Sequence, residues 1–100
     1  QFLYLELKDW EMFLVKSLAD TLCNKLDKVL IFIANIKADH SVNIICRNSI
    51  DTLNAGYIVK SATTAFNGNG GGSATFAQGG IKEKKNLPLI KKQLEDLLNE

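Results

Sequence analysis

Histidine occurs once in this chain, proline once and cysteine twice. Each shortage removes a class of chemistry. His40 sits in the polar turn Lys37-Ala38-Asp39-His40-Ser41, where a solvated turn residue is the simplest reading. With Cys23 and Cys46 it falls short of the four ligands that a structural zinc needs. There is no His-Glu-x-x-His segment, no Cys–His pair close in sequence and no cluster of carboxylates. Hydrolytic and nucleophilic catalysis therefore lack parts. The two cysteines fall in a helical pattern and at the end of a strand pattern, and both read as reduced, buried apolar groups. No apolar stretch approaches the ~18 residues of a membrane span. The longest, Val29-Leu30-Ile31-Phe32-Ile33-Ala34, has strand length. No methionine precedes Met12 and the first residue is Gln1, so the expectation is one domain, residues 1–100, cut from a longer protein. Gln1 to Trp10 carries Glu6 and Asp9 and no basic leader, unlike a signal peptide.

What the chain does have is glycine, in one place. Six of its seven glycines lie between Gly68 and Gly80. Each costs backbone entropy and adds no apolar area. Such a run is expected where backbone approaches something closely or where a loop stays mobile. Lysine is concentrated just beyond it. Lys82, Lys84, Lys85, Lys91 and Lys92 face one acid, Glu83, over eleven residues, whereas the whole chain carries only +1. A solvated face would explain this run, but an anionic partner would too.

The periodicity predicts seven elements. Phe2 to Glu6 reads as a strand. Asp9 reads as the N-cap of a helix over Trp10–Leu26, with positions 10, 13, 14, 18, 22 and 26 on its buried face and 15 and 19 adjoining. Val29 to Ile36 reads as a central strand covered on both sides, with Val42 to Cys46 as its hairpin partner. A second helix is predicted from Asp51 or Thr52 to Phe66, capped by Asp51 or Ser49 and containing Gly56 at a point of close packing. The glycine stretch reads as a loop, Thr75 to Gln78 as a short strand, and Leu87 onward as a helix that buries Ile90, Leu94, Leu97 and Leu98. The fold class is α+β, a mixed sheet packed by helices in the order β-α-β-β-α-β-α.

A phosphate loop of the Walker type is excluded, because no Gly-Lys-Ser/Thr opens a helix after a strand. Parts for binding nucleic acid are present. Exposed amides at the glycines can donate to phosphate, and Asn67, Asn69 and Gln78 can meet base edges or a 2′-hydroxyl. Lys82, Lys84 and Lys85 can contact phosphates. Phe76 or Phe66, if exposed, could stack on a base.

The string Gly68-Asn69-Gly70-Gly71-Gly72, followed by Phe76-Ala77-Gln78-Gly79-Gly80 and a lysine-rich link into a terminal helix, resembles the C-terminal end of alanyl-tRNA synthetases. That region belongs to the DHH-associated domain family, which also ends DHH phosphoesterases. Leu18-Ala19-Asp20 and Ala55-Gly56-Tyr57-Ile58-Val59-Lys60 are similar to family positions too. The family pattern is Gly-Gly-Lys-Gly-Gly-Gly-Arg-Pro-Asp-Met-Ala-Gln-x-Gly-Gly. Here Asn69 stands for the lysine, Ser73-Ala74-Thr75 stands for Arg-Pro-Asp, and the residue before Gly79 is missing.

The resemblance implies a non-catalytic module of an enzyme that joins alanine to tRNA-Ala using ATP. The implied partners are the tRNA elbow, the other domains of the synthetase and, in some members, a second copy. Contact positions implied by family likeness and by the lysine run are Asn69, Gly70, Gly71, Gly72, Gln78, Gly79, Gly80, Lys82, Lys84 and Lys85. No cofactor is expected in this domain; ATP, Mg and an editing-site Zn are implied for the parent, and a cytoplasmic setting with no membrane. The alternatives are the substrate-binding domain of a DHH phosphoesterase and a protein–protein or dimerisation module.

Overall fold

The computed structural model describes residues 1–98. Five strands form one sheet in the order β1-β2-β3-β5-β4: β1 Phe2–Lys8, β2 Leu30–Ile36, β3 Val42–Asn48, β4 Asn69–Gly72 and β5 Phe76–Ile81. Three helices, α1 Met12–Lys25, α2 Ala55–Thr64 and α3 Leu87–Leu98, connect or follow them. β1 and β2 are parallel, joined through α1; every other pairing is antiparallel. The α+β class and the mixed sheet stand as read. One strand is added: β4 lies inside the glycine stretch that reads as a loop.

The unbroken apolar run of β2 is explained by two cores. Leu30, Phe32 and Ala34 face α2 and α3, together with Val42, Ile44, Cys46, Ala77 and Ile81. Ile31 and Ile33 face α1, with Ile45. Each fully buried aliphatic or aromatic side chain contributes about 1.5–3 kcal/mol, so β2 anchors three layers. α3 covers the β1 end of its face, where Ile90 and Leu94 join Tyr4 and Phe32, whose rings stack 5.9 Å apart. α2 covers the β5–β4 end. On the opposite face α1 covers β2 and β3, which leaves the sheet over β5 and β4 open.

Several local expectations shift. Asp9 does not cap α1. It takes a left-handed conformation, φ 55, and its carboxylate pairs with Lys37 at 3.2 Å. The N-cap is Glu11, without a side-chain bond. What fixes the start of α1 is Asn35, fully buried in β2, whose amide donates to Trp10 O at 2.8 Å and accepts from Trp10 N–H at 3.0 Å. Val15 and Ala19 are the buried residues, Leu18, Leu22 and Leu26 pack beside them as expected, and Trp10, Phe13 and Leu14 are exposed. α2 starts later than predicted. Its cap is Asn54, which accepts from Tyr57 N–H at 2.9 Å, rather than Asp51 or Ser49. Leu97 is exposed on α3, whereas Ile90 and Leu94 are buried as expected.

Candidate functional site

β4 is the sequence Asn69-Gly70-Gly71-Gly72, which has neither strand propensity nor alternation. Its neighbours impose the strand. On one side β5 pairs with it, Asn69 with Gly80 through Gly72 with Ala77. On one face α2 lies so close that side chains do not fit. A Cβ on Gly56 would meet Gly72 O at 2.4 Å; one on Gly70 would meet Val59 Cγ1 at 2.7 Å and Thr63 Oγ1 at 3.0 Å; one on Gly79 would meet Gly70 Cα at 2.8 Å. Glycine at 56 and 70 is required by helix–sheet packing, and at 79 first by the backbone of β4 and then by Val59 of α2. Gly71 differs: a Cβ there would meet nothing within 4 Å, and its backbone is not left-handed.

The turn between the strands is firmly held. Ser73 N–H donates to Phe76 O at 2.8 Å, and Ser73 Oγ accepts from Phe76 N–H at 3.1 Å. Buried Asn48 donates to Ala74 O at 3.0 Å, Leu53 O at 2.9 Å and Ile50 O at 3.1 Å, and accepts from Ile50 N–H at 2.9 Å. One side chain thus ties the end of β3 to the approach to α2 and to the glycine hairpin.

Because Ser73 and Phe76 form a bonded pair, antiparallel alternation turns the backbone groups of Asn69 and Gly71 toward β5 and those of Gly70 and Gly72 toward the free edge. That edge borders an open groove of about 940 Å³ lined by Gly70, Gly71 and Gly72 and, from α2, by Tyr57, Lys60, Ser61 and Thr64. Tyr57 is 63 % exposed. The stripe 57, 60, 61, 64 was legible as one flank of a helix, but nothing in the sequence aligned it with glycines; sequence reading missed it.

The remaining candidate residues divide by face. Asn69, Gly71, Gln78 and Gly80 share the open face on the α1 side; Gly70 and Gly79 turn toward α2. Lys82, Lys84 and Lys85 are exposed and follow β5 directly, beside the turn that joins β2 to β3, where Lys84 N–H donates to His40 O at 2.8 Å. Lys85 is paired with Glu83 at 2.8 Å. Their hydrogen bond, more than charge attraction, lowers the Glu83 pKa and raises that of Lys85. Lys91 lies elsewhere, its Nζ 5.4 Å from the Tyr4 ring centroid on β1, the strand at the other edge of the sheet. The lysine run is therefore split. Phe76 and Phe66, the two aromatic candidates, are packed against the two cores instead.

Cys23 and Cys46 are free thiols, and burial pushes the Cys46 pKa up to about 12, so it is no thiolate at neutral pH. Among the described residues no group of three or more His, Cys, Asp or Glu could hold a metal ion, and no helix is long and apolar enough to cross a membrane.

The DHHA1 domain family matches residues 1–100. The alanine–tRNA ligase of Rickettsia bellii is 30 % identical over 97 % of the chain, and that of Buchnera aphidicola 31 % over 89 %. The chain spans 11 % and 10 % of the length of these two ligases. The crystal structure of the C-Ala domain from Aquifex aeolicus alanyl-tRNA synthetase superposes with a TM-score of 0.88 at 30 % identity, covering 99 % of this chain and 91 % of that one. The chain belongs to the DHHA1 domain family and has the fold of the C-Ala domain of an alanyl-tRNA synthetase.

Proposed function

We propose that this chain is the tRNA-binding accessory module of an alanyl-tRNA synthetase: it grips the tRNA elbow and does no chemistry itself. In this reading ATP, Mg and the editing-site Zn serve other domains of a cytoplasmic parent enzyme, and those domains and the tRNA are the partners. The observation that carries the reading is the free glycine edge. Gly70 turns its unpaired backbone groups outward along a groove that also holds Lys60 and Tyr57, and Gly72 continues that edge with its carbonyl against Gly56. Outward N–H groups with a cation beside them suit phosphate oxygens, and the Tyr57 ring supplies a stacking surface. Lys82 and Lys84 extend the cationic path past the end of β5, with Lys85 shared between Glu83 and any phosphate.

About three to five such contacts give a shallow salt dependence, a log–log slope of roughly −2 to −4. Titrating the chain with tRNA at two salt concentrations measures it. Replacing Lys82, Lys84 and Lys85 together by Ala is expected to flatten the slope by about 2 and leave Tm nearly unchanged, because an exposed pair such as Lys85–Glu83 stabilises little. Binding without salt dependence, or no binding, contradicts the reading and favours a protein–protein module.

A further inference from the structure

Gly71 is the glycine that the fold does not require. It has room for a side chain and an ordinary extended backbone, yet glycine in a strand sacrifices stability. Across the strands, the registers align Asn43, Gly80 and Asn69 in one row and Ile45, Gln78 and Gly71 in the next, all on the α1 side of the sheet; α1 buries Ile45 and leaves the β5 and β4 members of both rows uncovered. Over the first row lies a depression of about 420 Å³, closed at one side by Met12, whose sulfur accepts from Asn43 Nδ2 at 3.6 Å. Among the described residues the side-chain amides of Asn69 and Gln78 have no hydrogen-bond partner. These two rows hold amides and no charge; the next residue on this face of β3, Arg47, is paired with Asp20 of α1 at 3.0 Å, and a lysine follows two residues beyond Gly80, at Lys82.

We propose that this shelf receives an unpaired nucleobase of the bound RNA, with Asn43, Asn69 and Gln78 reading its edge and Gly80 and Gly71 forming the flat floor. The proposal rests on the RNA-binding reading above and adds what the second face of the same strand recognises. Phosphates need cations, which are at the end of the sheet and along its edge. Base edges need neutral groups that both donate and accept, which an amide does. Asn43 and Asn69 stand two interstrand spacings apart, roughly 10 Å, which leaves room for one planar ring bonded on both sides. A paired base in an RNA helix cannot present itself to such a shelf, so the shelf selects loops over duplex.

The test compares the 100-residue chain binding a tRNA transcript with its binding to a blunt RNA duplex of similar charge, by fluorescence anisotropy. Two variants are used: Gly71→Leu, which fills the floor, and the double change Asn69→Ala with Gln78→Ala, which removes two amides that hold nothing else. Each is expected to lose about tenfold or more in tRNA affinity, the size of one base contact; the double variant keeps duplex binding and Tm, and Gly71→Leu leaves Tm unchanged or raises it. If both variants bind tRNA as the parent does, the shelf is empty and the inference fails, while the edge-groove reading survives. If tRNA and duplex bind equally well before any substitution, recognition is by backbone alone and the inference fails likewise. Absence of salt-sensitive binding in the unsubstituted chain overturns the RNA reading itself.

Discussion

At the scale of single residues, buried amides organise this protein. Asn35 and Asn48 are both almost wholly buried, and each bonds to backbone far away in sequence. Asn48→Ala would leave Leu53 O and Ile50 N–H without partners and take one of two donors from Ile50 O and Ala74 O, and the cost of an unsatisfied buried group is ~1–3 kcal/mol. With partial relief by water, a loss of about 2–3 kcal/mol is expected in urea denaturation. Since Asn48 also holds the Ala74 turn, tRNA affinity should fall in the same variant; an unchanged midpoint would mean that the turn is held by Ser73 alone. Neither role is legible in the sequence. An asparagine inside an apolar run looks like a flaw in a strand until its long-range partners are known. Caps are illegible for a related reason: Asp9, Ser49, Asp51 and Asn54 have equal chemistry, and the chain's path, not the residue type, selects Asn54.

Between elements, legibility follows burial. β2 and β3 were readable because their side chains carry the two cores, and α3 because its stripe repeats at helical spacing. β4 was not, because its side chains are absent by necessity. It exists through α2 packing onto it and β5 pairing with it. Gly56 signalled close packing correctly; its partner, Gly72, could not be named from sequence. The contrast gives a stability test. Gly70→Ala places a methyl 2.7 Å from Val59 Cγ1 and 3.0 Å from Thr63 Oγ1. Such overpacking costs typically 1–3 kcal/mol, read as a lower Tm. A Tm equal to or above that of the unsubstituted chain would show that α2 can move away from β4. The five glycines singled out as contact residues from sequence thus split: Gly70, Gly72 and Gly79 sit where α2 or the partner strand leaves no room, Gly80 has Val42 O 3.0 Å from where a Cβ would lie, and Gly71 alone leaves space.

For the whole molecule, the sheet order decides what is available to partners. The strand order puts β4 at an edge, and an exposed edge invites strand addition by another chain. A second copy pairing there would occupy the groove assigned to phosphate. The two uses exclude each other, so any dimer formed through β4 should dissociate as tRNA is added. Sedimentation velocity with and without tRNA checks this; a dimer that binds tRNA undiminished must use a different surface.

The α2–β4–β5 end is also built from one contiguous stretch, residues 55–81, whereas β1, β2 and α1 come from the first 36 residues. Only β3 joins β5 to the rest of the sheet. Segments arranged this way can open and reclose as a unit while the remainder stays folded. Opening of that end has to break the Asn48 bonds that tie the glycine hairpin to β3, and whatever settles against the hairpin works in the same direction as those bonds.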